Sequence, residues 1–348
     1  MQRIKFTVFA DLHYKKGMYP SSVADLEDIF ERAKAADSDL VVHLGDMCND
    51  YLHSPELVRA YLENKYGFDV YGVYGNHELE TKGNTMDVVT PLLTNRYDSA
   101  VWGGAGTQIG YYYFDKGVFR FIALDTNYSK NPETNEYEHN REASWGAPYE
   151  NSLHDSLGEA QLEWLGEVLR NAVSEGKKCI ILSHDSFSPD WESSPDSEKV
   201  REMFKKANEQ RRGTVLLALN GHYHNNRHTV CDGVAYIDVN TVRVGYWQAE
   251  KYFAYAEEDE NAPKYTFEYT DYDENGEPLG SIQRSYSSLR MGDRSLFFED
   301  AMSATISVDA NGRIEVEGMT TKWAYGIAPE ELPLEPALLS IDSWSNDN

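Results

Sequence analysis

"LLALNGHYHNNRH", residues 216–228, poses the question that the rest of the chain answers. Leu216, Leu217, Ala218 and Leu219 read as a buried strand. The strand gives way at Gly221 to two histidines, His222 and His224. Such a pair is a metal site or only a polar turn, and the pair alone does not decide. As a metal site it would need ligands from elsewhere in the chain.

Upstream, other apolar runs end in the same manner. "IKFTVFAD" (4–11) is a strand ending at Asp11, with His13 just beyond it. "DLVVHLGD" (39–46) ends at Asp46, "VYGVYGNHE" (70–78) reaches Asn76 and His77, and "KKCIILSHD" (177–185) reaches His184. Helices are predicted between them. "SSVADLEDIFERAKAAD" (21–37) has Val23, Leu26, Ile29, Phe30 and Ala33 at helical spacing, with Ser21 or Ser22 as N-cap. "SPELVRAYLENKYG" (54–67) opens on Ser-Pro and closes on Gly67. "LGEAQLEWLGEVLRNAVSEG" (157–176) carries Leu162, Leu165 and Leu169 on one face and stops at Gly176, and "DSEKVREMFKKANEQ" (196–210) is another helix.

Strands alternating with helices predict an α/β protein with a mostly parallel core. In open α/β sheets, ligands bind outside the carboxyl ends of the strands. Asp11, His13, Asp46, Asn76, His77, His184, His222 and His224 are therefore expected to converge on one edge. Gly45, Gly75 and Gly221 each precede one of these residues, where the backbone must turn tightly or approach closely.

The chain has 348 residues, enough for one large domain or two, and 41% are apolar, close to globular usage. No apolar run is long enough to span a bilayer. The net charge of −26 disfavours general nucleic-acid or anionic-membrane partners. An anionic substrate would need the field reversed locally, which bound divalent cations would do. Cys48, Cys179 and Cys231 are scattered and odd in number, which fits a reducing compartment. The expectation is a cytoplasmic protein, a leader trimmed ahead of Met1 being the alternative.

The middle is less regular. "YYYFDKGVFRFIALDTN" (111–127) reads as two strands joined at Lys116–Gly117, and residues 131–152 as a long surface loop. Beyond about residue 230 the pattern turns β-rich, with hairpin signals at Asn275–Gly276 and Asn311–Gly312. The acidic stretch 256–262 reads as a solvated loop. A single domain over 1–348 is the simplest division, with a cap or insertion at about 246–300 as the alternative.

The ordered series "DLH", "GD", "GNHE", "SH" and "GHYH" resembles the calcineurin-like metallophosphoesterases, in the purple acid phosphatase and class III phosphodiesterase-like branch. The motifs span roughly residues 7–228, and "ISVDANGRIEVEG" is similar to the closing hairpin of many members. The resemblance implies a four-layer α/β/β/α sandwich with a dinuclear metal site at the carboxyl edge of the strands. It implies that Asp11, His13 and His224 hold one ion, that Asn76, His184 and His222 hold a second, and that Asp46 bridges them. His77 would stay off the metals as the catalytic acid, and Asn76 would also meet substrate. The implied cofactors are two divalent transition-metal ions (Mn, Fe, Zn or Co), since mixed imidazole and carboxylate ligands suit these better than calcium. The implied activity is hydrolysis of a small-molecule phosphate ester, diester or monoester, by a hydroxide bridging the ions. The different-class alternative is a non-catalytic scaffold or binding protein on the same fold, which the full set of ligand-competent residues argues against.

Departures narrow the expectation. The purple acid phosphatases carry a ligating tyrosine where this chain has Asn49, so no iron–tyrosinate centre is expected. The supporting aspartate of protein phosphatases is displaced by one residue, to Asp50. Many relatives have a second histidine where this chain has Asp185. Away from the motifs, His43 lies along a strand and reads as a satisfied core histidine. His53, His139, His154 and His228 read as surface. Arg227 and Arg243 are candidates for a substrate phosphate. Tyr246 and Trp247 are candidates to line a cleft, although packing is the simpler reading.

Overall fold

The structure, a computed structural model, describes residues 3–14, 22–48, 51–52, 54–79, 83–131, 133–139, 155–245, 264–272, 278–287, 298–322 and 341–344. Residues 140–152 of the expected surface loop, Tyr246, Trp247, the 256–262 stretch, the Asn275–Gly276 turn, Asn49, Asp50, His53 and His154 lie outside them.

The first part of the chain runs β1 (Arg3–Phe9), α1 (Val23–Ala35), β2 (Leu40–His43), α2 (Pro55–Leu62), β3 (Val70–Gly72), α3 (Met86–Val89) and β4 (Val101–Trp102). There follow β5 (Tyr112–Lys116), β6 (Phe119–Ala123), β7 (Tyr128–Lys130), β8 (Tyr137–His139), α4 (Gly158–Glu175), β9 (Lys178–Leu182), α5 (Ser197–Gln210) and β10 (Val215–Asn220). The rest is β: β11 (Arg227–Cys231), β12 (Val234–Asp238), β13 (Lys264–Tyr272), β14 (Pro278–Ser287), β15 (Ala304–Asp309), β16 (Ile314–Glu317) and β17 (Ile341–Trp344).

Two sheets result. One has the order β17-β16-β15-β1-β2-β3, the other β11-β12-β10-β9-β6-β5-β4. The strands that carry the motifs pair in parallel: β1 with β2 with β3, and β6, β9, β10 and β12 in succession. Antiparallel strands sit toward the flanks, as the hairpin signals require.

The alternation of side chains builds the layers. On β6, Phe119, Phe121 and Ala123 join the main core, whereas Ile122 packs with Leu165, Val168 and Leu169 of α4. β9 divides likewise, with Ile180 and Leu182 in the main core and Cys179 and Ile181 under the helices. The sheets face each other where the Phe6 ring meets Phe121 edge-on at 5.3 Å and Tyr71 stacks on Phe114 at 3.5 Å. On the other face of β1, Thr7 Oγ1 meets Ser38 Oγ, just past α1, at 2.9 Å. Helices thus cover both outer faces, giving the expected α/β/β/α sandwich. A ring as deeply placed as Phe121 contributes about 3–5 kcal/mol against alanine.

Local signals explain most boundaries. Ser22 caps α1 in a full capping box with Asp25. Gly176 ends α4 with φ +72°, and Gly312 turns the β15–β16 hairpin with φ +88°. α2 stops at Leu62, short of Gly67, because the Asn64 side chain accepts from Phe68 N at 2.8 Å and donates to the Tyr61 carbonyl at 3.1 Å. That side-chain turn competes with the helix for the backbone. The sequence reading passed over β11. Its hairpin with β12 turns at Asp232–Gly233, both with positive φ (+50° and +73°), which is an Asp-Gly signal of the same kind.

Candidate metal centre

All the motif residues sit just past strand ends, and backbone bonds stitch their loops together. Asp11 N donates to the Gly45 carbonyl at 3.1 Å, and His13 N to the Asp46 carbonyl at 2.8 Å. His77 N donates to Asp46 Oδ1 at 2.8 Å, and His222 N to Asp11 Oδ2 at 3.0 Å. Thr241 Oγ1 donates to the Asp11 carbonyl at 2.6 Å. Nine non-glycine residues among those described have positive φ, and five of them are here: Asp11, His13, Asp46, His222 and His224. That conformation is costly for histidine and persists only where surroundings impose it, which is characteristic of a functional site. Gly75 admits the Asp46 carboxylate so closely that a Cβ there would collide with Oδ1.

The side chains form two groups. In one, His13 Nε2 and His224 Nε2 are 3.1 Å apart, and Asp11 Oδ1 is 3.5 Å from His224 Nε2. In the other, Asn76 Oδ1 lies 3.0 Å from His184 Nε2 and 3.2 Å from His222 Nδ1, and those two nitrogens are 3.2 Å apart. Asp46 Oδ2 stands between, 3.7 Å from His13 Nε2 and 3.2 Å from His184 Nε2. Asp11, His13, Asp46, His184 and His224 are all buried, and Asn76 and His222 half-buried.

This geometry fits cations. His184 Nδ1 is 2.8 Å from the Leu44 carbonyl and His224 Nδ1 2.6 Å from that of Val244. A carbonyl only accepts, so each Nδ1 carries the proton and each Nε2 presents a lone pair. His184 Nε2 then faces the Asp46 carboxylate and the Asn76 carbonyl oxygen, acceptors aimed at acceptors. Positive charge must fill that arrangement. The same demand raises His184: burial disfavours its charged form, but the Asp46 and Asp11 carboxylates outweigh that and lift it well above the ordinary histidine value. Burial likewise works against Asp46, yet the neighbouring His184 and His77 hold its carboxyl well below the usual range. A proton on His184 is a substitute for what a divalent ion would bring. Groups of three donors within 4.8 Å occur as Asp11–His13–His224, His13–Asp46–His77 and Asp11–Asp46–His184.

His77 is buried beside the first group, its ring edge-on to His13 at 4.9 Å and its Nε2 4.0 Å from Asp46 Oδ2. Arg243, expected as a substrate contact, is bound elsewhere. Its Nε and Nη2 donate to Asp25 at 2.9 and 2.8 Å, and its Nη1 to the Phe298 and Glu299 carbonyls. It braces the segment that bears Val244 against the start of α1. Arg227 differs: its guanidinium stacks over Trp191 at 5.9 Å and over Tyr223 at 5.2 Å, and the Tyr223 ring in turn meets that of His222 at 5.5 Å.

Sequence reasoning missed part of the support. Glu78, read only as the neighbour of His77, is fully buried and ties its own loop to the one after β2 by accepting from Asp46 N (2.8 Å), Met47 N (2.7 Å) and Gly75 N. Burial, with Asp46 close by, pushes its carboxyl up to about 7. His139 was expected at the surface, but its side chain is 4% exposed and its Nε2 is 2.8 Å from the buried Asp125. Asp125 and Thr126 follow β6, one more apolar strand ending in polar residues, and that was the available signal. His43 is a core histidine as expected, although only Nδ1 is satisfied, by Gly45 N at 3.2 Å.

A family model described as calcineurin-like phosphoesterase matches residues 4–226. No curated protein matches. Among solved structures the chain is similar to a dimetal phosphatase from Danio rerio, with 18% identity, TM-score 0.54, and coverage of 90% of this chain and 95% of that one. A purple acid phosphatase from yellow lupin (Lupinus luteus) is 13% identical with TM-score 0.46, covering 98% of this chain and 54% of that one. The anchor GAP50 of the Plasmodium inner membrane complex is 13% identical with TM-score 0.48, covering 96% and 89%.

Proposed function

The chain belongs to the calcineurin-like phosphoesterase family, whose members hydrolyse phosphoric ester bonds, and from that premise we propose a dinuclear hydrolase of small-molecule phosphate esters. Asp11, His13 and His224 would hold one divalent ion and Asn76, His184 and His222 the other, with Asp46 shared. The observation that carries this reading is the place of Asp46 Oδ2 between the two groups. Bound there, the ions would neutralise phosphate charge and make a water acidic enough to attack.

The protein's own residues supply the rest. Neutral Asn76 would add an oxygen ligand without adding negative charge, which would keep the centre attractive to a phosphate. His77, tied by its backbone to Asp46, would hand a proton to the departing alkoxide. The interlocked loops hold these groups in place before substrate arrives, and phosphoryl transfer depends mainly on such positioning. The missing iron-ligating tyrosine favours a diester over a monoester.

The test is a paired assay of a chromogenic phosphomonoester and the matching diester, each with Mn, Zn, Fe and Co. Metal-dependent turnover of either supports hydrolysis, and the ratio assigns the ester class. Two bound equivalents with no turnover of either ester would favour a binding protein on this fold.

A further inference from the structure

Asp185 stands where many relatives carry a second histidine, and it is 2% exposed. Its Oδ2 accepts the Thr126 hydroxyl at 2.6 Å. Its Oδ1 is buried and has no hydrogen-bond partner among the described residues. His222 Nε2 lies 3.9 Å from that oxygen.

His222 turns Nδ1, not Nε2, toward Asn76 and His184. A neutral imidazole has one proton, and a ring that offers a lone pair through Nδ1 carries it on Nε2. Metal-binding histidines usually donate that remote proton to a carbonyl or carboxylate, which fixes both tautomer and ring orientation. His184 and His224 point their remote nitrogens at backbone carbonyls. His222 points its own at Asp185.

We propose that Asp185 is the positioning residue for His222, with Thr126 anchoring it. Its Oδ1 accepts a hydrogen bond from Nε2–H, directly after a small swing of the ring or through one shared water. Nδ1 is thereby kept bare and aimed at the Asn76–His184 group. The inference rests on the dinuclear reading above.

Calorimetric titration of metal-free protein with Mn²⁺ tests it. Asp185→Asn keeps the shape and the Thr126 bond but lets an amide N–H₂ face the Nε2 proton. One of the two Mn²⁺ equivalents is expected to weaken ten- to a hundredfold while the other keeps its wild-type affinity. In a His222→Ala background, Asp185→Asn should have no further effect on the remaining equivalent, which a general loss of structure would not reproduce. Asp185→Glu, which retains a carboxylate, should recover part of the affinity. Wild type binding two equivalents with Asp185→Asn unchanged, or with both equivalents weakened alike, overturns the role of Asp185 alone. Wild type binding fewer than two overturns the dinuclear reading with it.

Discussion

The Glu78 carboxylate accepts the backbone N–H of Asp46 at 2.8 Å, so the residue placed to bridge the two groups is held by a side chain from the next motif. Met47 N, Gly75 N and the Tyr51 hydroxyl share the same carboxylate. Glu78→Gln should weaken both metal equivalents by about ten- to a hundredfold, since outer partners of ligands act on that scale. The same change should lower thermal stability, because a buried N–H loses its charged acceptor. Mn²⁺ titration and a melting curve check the two effects, and unchanged affinity for both ions would remove Glu78 from the support of the site.

His77→Asn should lower turnover by about 10²- to 10⁴-fold, the usual contribution of a positioned acid. Metal content by elemental analysis should stay at the wild-type level. A variant that turns over normally would end the assignment of His77 as proton donor. Lost metal would instead make it a ligand.

The two arginines should separate. Arg243→Met breaks a largely buried pair with Asp25 and is expected to cost about 3 kcal/mol of stability, read from urea unfolding. Arg227→Met removes stacking on Tyr223 and Trp191 and a positive charge near the buried Asp238, so it should cost less stability than Arg243→Met while KM for the preferred ester rises several-fold. Equal KM in wild type and Arg227→Met would leave that residue a surface cation.

His43 makes stability depend on pH. Burial, aided by the nearby His184, holds its imidazole down to about 3 from 6.5. Above pH 6.5 it is neutral in both states and costs nothing. As pH falls, the unfolded chain takes up the proton first, so stability is eroded from about 6.5 and the loss is complete near 3. The slope is about 1.4 kcal/mol per pH unit. In the metal-free protein, the urea midpoint of wild type should therefore fall steadily relative to that of His43→Leu from pH 7 to pH 4, and a constant difference would refute the buried neutral histidine.

Much of this protein is legible in its sequence. Apolar runs ending in Asp11, Asp46, Asn76, His184 and His222 predict both the parallel strands and the edge where they meet, because strand polarity alone carries every such residue to the same side. Helix caps such as Ser22 and Gly176 are equally local, since one or two residues contain the whole interaction. Glu78, Thr126 and His139 were not legible. Most of their partners lie in another loop, and a carboxylate that bonds the distant Asp46 and Met47 N–H groups has the same appearance in sequence as one in water.

The division is sharpest at His222 and His224. The sequence by itself determined that two histidines leave β10 together with a glycine ahead of them. Tertiary structure alone decided that His224 faces its group through Nε2 and His222 through Nδ1. The physical reason lies outside the motif. A ring's free nitrogen is chosen by what accepts from the other one: for His224 that is the carbonyl of Val244 at 2.6 Å, and for His222 the proposed acceptor is Asp185, 3.9 Å from Nε2, both supplied by chain segments outside the motif.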